Sequence, residues 1–182
     1  MIDAELSRFD WAKIPSYVGD SSSLPAALRG LVAAVTAEEA DTFRERIEFT
    51  ILEVGTLSAA CLPVAECLVA ALVDMPADAR LAALDLLVQI GTATSHETDA
   101  VDPAECRKAV ARGFRSYADG LKGMSSADEM ISCIDLVAIA GAAEPSLRPA
   151  ALLALEGARA FAPLRHLLEL IDNSVTDLSP EP

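Results

Sequence analysis

One stretch of the chain is written twice. Residues 77–91 read ADARLAALDLLVQIG and residues 127–141 read ADEMISCIDLVAIAG. Each begins Ala-Asp, sets apolar pairs around a central aspartate (Asp85 or Asp135) and closes on glycine. A weaker copy runs from Arg44 to Gly55, with Arg44 in the frame of Arg80 and Ile51 in the frame of Leu87. The closing glycines Gly55, Gly91 and Gly141 lie 36 and 50 residues apart. Repeats of this length, with two helices each, point to hairpins that bury their apolar faces only by stacking on their neighbours.

Helix signals cover most of the rest. Thr36-Ala37-Glu38-Glu39 and Ser126-Ala127-Asp128-Glu129 are capping boxes, in which the hydroxyl accepts an orphan N–H and the glutamate reaches back. From the first, Phe43, Ile47, Ile51 and Val54 keep helical spacing until Gly55. Asp102-Pro103 is an N-cap with proline at the first helical position. It opens one run with Val110, Phe114, Tyr117 and Leu121 on a stripe. The helix after Ser126 turns Met130, Ile131, Ile134 and Val137 inward and ends near Gly141. Further helices are expected at 24–34, 58–73, 76–90, 144–158 and 162–172, with a short one in 3–12. Pro63 kinks or delays the 58–73 segment. The domain is expected to span 1–173, with 174–182 a mobile acidic tail. Leu84 and Ile134 are expected in the core and Cys133 beneath the surface.

Composition agrees with small-residue helical packing. Apolar residues make up 52% of 182, aromatics only 4%, and there are 34 alanines. Four cysteines without CxxC spacing read as buried reduced thiols. The longest uncharged run, Val54 to Ala65, is too short for a membrane span, and the acidic start MIDAELSRFDW is no signal peptide. A cytoplasmic location is the expectation. The net charge of −14 opposes nucleic acid and anionic lipid, and makes a basic protein the natural complement.

The segment ADARLAALDLLVQIG resembles the second helix of a HEAT repeat: an acidic residue, a nearby arginine, small and aliphatic packing positions, a closing glycine. Trp11, Tyr17, Gly19, Pro25 and Leu28, with GTLSAACLPVAECLVAALV, resemble small bacterial HEAT-like proteins. The resemblance covers most of residues 9–141 and departs where Met130 replaces the expected arginine. It implies an all-α, HEAT-like α-solenoid of about four stacked antiparallel helical hairpins. It also implies protein binding, since several members of the wider class serve as immunity proteins beside toxins. HEAT-like alkylpurine DNA glycosylases need a basic concave channel, which a charge of −14 does not supply.

No nucleophile, phosphate-cradle or zinc motif is present, so no catalytic residue, metal or cofactor is assigned. The candidate residues are charged positions on the second helices and one loop. Glu45, Glu48, Asp85, Gln89 and Asp135 project away from the apolar stripes and would line the concave face of a stack. They can equally be the polar outer faces of surface helices, and Asp85 and Asp135 can be a ladder between repeats. His96, Glu97 and Asp99 lie in the acidic loop 92–102, at the rim. Lys108, Arg112 and Arg115, with Arg107 alongside, form a basic stripe that either binds an acidic partner or is a solvated face balanced by Glu105 and Asp119. Trp11 and Tyr17 are either interface anchors or covers for an open end. The expected function is a non-enzymatic protein-binding module, an immunity protein that neutralises a basic toxin by direct binding; the alternative is an intracellular HEAT-like adaptor or scaffold with no toxin partner.

Overall fold

The capping residues open helices as the sequence requires. The computed structural model describes residues 2–53, 56–93, 101–122, 126–162 and 165–179. Thr36 is extended, its side chain accepts the Glu39 N–H at 3.3 Å, and the Glu39 carboxylate accepts the Val35 N–H at 3.1 Å. Ser126 accepts the Glu129 N–H at 3.1 Å and Asp102 the Ala104 N–H at 2.8 Å. The helices are α1 (Ile2–Leu6), α2 (Leu24–Ala33), α3 (Ala37–Ile51), α4 (Cys61–Ala71), α5 (Ala77–Thr92), α6 (Pro103–Ala111), α7 (Phe114–Gly120), α8 (Ala127–Ala143), α9 (Arg148–Ala158) and α10 (Arg165–Leu178). Two short antiparallel hairpins accompany them: β1 (Pro15–Ser16) with β2 (Gly19–Asp20), and β3 (Leu52–Glu53) with β4 (Thr56–Leu57). The architecture is all-α.

Three elements depart from the sequence expectation, each for a physical reason. The run after Asp102 is two helices. The Tyr117 hydroxyl donates to the Val110 carbonyl at 2.9 Å, and a Cβ on Gly113 would fall 2.2 Å from that hydroxyl. A buried phenol beneath a glycine thus turns the chain at Arg112-Gly113. The helix from Thr36 stops at Ile51, because Leu52 and Glu53 pair with Leu57 and Thr56 in strands; Val54 and Gly55 lie outside the described residues. The last helix continues past 173 into the expected tail. Leu167, Ile171, Ser174 and Leu178 fall on one face and are buried, so the acidic residues of 172–177 are only the outer face of a packed helix. In α4, Pro63 sits in the first turn, where a missing N–H breaks no helical bond.

The helices pair along the chain. α2 packs on α3, α4 on α5, α6 and α7 on α8, and α9 on α10. Neighbouring pairs meet through α2 with α4 and α5, α3 with α5, α4 with α6, α5 with α6 and α8, α7 with α9, and α8 with α9 and α10. One continuous core results, reaching from Leu6 to Leu178 and including fully buried Leu84 and Ile134.

The repeat glycines do not end their helices, which run on to Thr92 and Ala143. Gly91 and Gly141 mark close approaches between pairs instead, while Gly55 lies outside the described residues. A Cβ on Gly91 would meet Ile139 of α8 at 3.0 Å, and one on Gly141 would meet the Ala151 Cβ of α9 at 2.8 Å. Arg80, the repeat arginine, also works between pairs: its Nε lies 3.2 Å from Glu129 Oε1, and Nη2 donates to the Ser116 carbonyl at 3.3 Å.

Candidate functional site

The second helices α3, α5 and α8 lie side by side and carry a polar row across their exposed stripe. On α3, Arg44 donates to Glu48 at 2.7 Å and lies 3.3 Å from Asp41. Gln89 of α5 reaches Glu48 at 3.4 Å, linking the first two pairs. One turn back on α5, Asp85 accepts the Ser132 hydroxyl of α8 at 2.8 Å, linking the second and third. Between α5 and α8 these side chains border a groove of about 280 Å³ lined by Arg44, Asp85, Val88, Gln89, Ile131, Ser132 and Asp135.

The two aspartates share a repeat frame but not an environment. Asp85 has a donor from the next helix, so it bridges pairs, as the ladder reading expected. Asp135 has no hydrogen-bond or ion-pair partner among the described residues, and burial raises its pKa above the ordinary carboxylate value. It is a half-buried carboxylate at the edge of a groove, open to a partner from outside. An ammonium or guanidinium brought to this edge would form a charge-assisted hydrogen bond with it.

Of the residues singled out in the sequence, Glu48, Asp85, Gln89 and Asp135 stand on this row. Glu45 does not line the groove: its side chain is 73% exposed and 4.0 Å from Arg44. His96, Glu97 and Asp99 lie outside the described residues. Sequence reasoning missed Arg44 and Ser132 as members of the row. The signal for Ser132 is its place three residues before Asp135, one turn back on the same face.

The basic stripe is exposed but largely paired within the protein. Arg112 pairs with Glu66 at 2.6 Å, Lys108 with Glu105 at 2.8 Å, and Arg107 donates to the Ala93 carbonyl at 3.4 Å. Arg115 is exposed and has no hydrogen bond or ion pair among the described residues. Trp11 is buried, with its indole N–H on the Leu6 carbonyl at 2.8 Å and its ring edge-on to Phe9; Tyr17 is 38% exposed and bonded to Thr56. Among the described residues there is no group of three or more His, Cys, Asp or Glu placed to hold a metal, and no helix long and apolar enough to cross a membrane. All four cysteines are buried.

Comparison with protein-family models, with curated proteins and with solved structures finds no match for the chain.

Proposed function

We propose that the chain is a non-enzymatic protein-binding module, a HEAT-like α-solenoid of four hairpins whose second-helix face receives a basic toxin and blocks it, as an immunity protein does. The observation that carries this reading is Asp135. The row of Glu48, Asp85 and Gln89 is already paired within the protein, whereas Asp135 is a half-buried carboxylate with no protein donor among the described residues. The pairing of helices, each with its neighbours along the chain, supports the solenoid. The net charge of −14 favours fast encounter with a cationic partner.

The test is neutralisation. The gene next to this one in its genome is expressed alone and together with this chain. The expected result is growth arrest by the neighbour alone, relief by the wild-type chain, and loss of relief with Asp135→Lys at unchanged helical content. A neighbour without toxicity overturns the immunity reading in favour of an adaptor. Full relief by Asp135→Lys places the interface elsewhere.

A further inference from the structure

The opposite layer carries a second, differently built surface. α7 and α9, first helices of their hairpins, meet only lightly and leave an apolar trough of about 300 Å³ between them. Small residues line it, Ala118, Ala154 and Gly157, and a Cβ on Gly157 would touch nothing within 4 Å. Large residues line it too: Phe114 from α7, Leu153 from α9 and Phe161 just beyond α9. Leu153 is 76% exposed and Phe161, just beyond α9, 51%, whereas Ala151 and Leu155 on the opposite face of α9 are wholly buried. α9 therefore has two apolar stripes and uses one of them for the core.

The charge at this trough runs against the rest of the molecule. Lys122 is the charged group in its lining. Arg115 stands next to Phe114, two turns before Lys122, exposed and without a counter-ion among the described residues. Lys122 is held only by Asp119 at 3.1 Å, in a pair about two-thirds exposed and so weak. A second copy of the chain fits poorly. A two-fold contact would set Lys122 and Arg115 against themselves, between bodies each carrying −14. An apolar trough with small residues in its lining accepts a helix laid along it, anchored at i, i+3, i+4 and i+7.

We propose that the α7–α9 trough is a docking site for an amphipathic helix of another protein, whose apolar stripe fills the trough and whose flanking acidic residues pair with Arg115 and Lys122. This surface is separate from the acidic row and takes a partner of the opposite charge.

Fluorescence anisotropy on the full chain at physiological salt tests it. The probes are two labelled, helix-prone peptides with the same leucine stripe, one flanked by glutamates and one by lysines. The quantity read is the part of the binding that Leu153→Asp removes. The glutamate peptide is expected to lose about tenfold or more in affinity with Leu153→Asp. The lysine peptide, drawn to the acidic face, is expected to be insensitive to it. Arg115→Glu with Lys122→Glu is expected to invert this pattern. Leu153 is exposed, so its variant should melt with the wild type; if it does not, Phe161→Ser replaces it. A glutamate peptide that binds Leu153→Asp unchanged overturns the proposal, as does a charge-reversed pair that leaves the preference intact. Sedimentation velocity closes the remaining case: a wild-type dimer that Leu153→Asp dissociates assigns the trough to a second copy and overturns it too.

Discussion

Asp135 sits where a carboxylate costs stability. Burial raises its pKa, so the folded chain holds this proton more readily than the unfolded chain does. The sign follows from linkage. Below the unfolded pKa both states are protonated and nothing is lost; as pH rises through the folded pKa the charged form is disfavoured and folding weakens. Asp135→Asn is therefore expected to raise the melting temperature near neutral pH, with the gain fading as pH falls through the carboxylate range. The side chain is only half-buried, so the gain is modest. Asp85→Ala should behave oppositely, losing about 1 kcal/mol with the Ser132 bond. If Asp135→Asn melts lower instead, its carboxylate has a structural partner within the protein and the case for its pairing with an outside cation falls. In the core the expectation is plainer. Leu84→Ala and Ile134→Ala should each cost about 2–5 kcal/mol in denaturant titration, since both side chains are fully enclosed. Burial pushes the Cys133 thiol up to about 12, so it should react with thiol reagents far more slowly in the native than in the unfolded protein.

At the scale of elements, glycines decide how closely the hairpins approach. Gly141→Ala would drive a methyl to 2.8 Å from the Ala151 Cβ, which is fixed to backbone and cannot swing away. Gly157→Ala, near the end of α9, meets open space. Thermal melts should therefore move in opposite directions: Gly141→Ala down, by more than the gain of about 1 kcal/mol that alanine brings to a helix, and Gly157→Ala up by at most that amount. The same elements show what could be read in advance. Caps are local, so Thr36, Asp102 and Ser126 placed three helix starts correctly. The repeat frame identified Leu84 and Ile134 as core. Contacts outside the helical repeat pattern were not legible: the Tyr117–Val110 bond that divides α6 from α7, the pairing of Leu52 with Leu57 that ends α3, and the burial of Leu178 that carries α10 through the supposed tail. At the site, periodicity showed which residues face outward. It did not show that Asp85 would find Ser132 while Asp135 would not, because that depends on which helix lies alongside. The trough between α7 and α9 was hidden for a related reason: in sequence, Leu153 and Phe161 are indistinguishable from core.

For the whole molecule, the charge of −14 acts on folding and on binding in opposite senses. Like charges on one surface repel, and salt screens that repulsion within about 10 Å at 0.1 M. Raising ionic strength from low to physiological should accordingly raise the melting temperature of the isolated chain. A cationic partner held on the second-helix face gains from the same field, so its association should slow as salt rises while its dissociation changes less. Asp85→Lys with Asp135→Lys reduces the charge by four and concentrates the change on one face. Its association with the partner found by neutralisation should be slower and less sensitive to salt. Of the two aspartates it is Asp85 that bridges α5 to α8, so the loss of stability in the double variant should match that of Asp85→Lys, with Asp135→Lys adding little. Surface plasmon resonance across a salt series, beside melts of the two single variants and the double, reads both effects together. If association in the double variant keeps the wild-type salt slope, the partner is not steered by this face. If Asp135→Lys lowers the melting temperature as much as Asp85→Lys, both aspartates hold neighbouring hairpins together, and the acidic row is part of the scaffold.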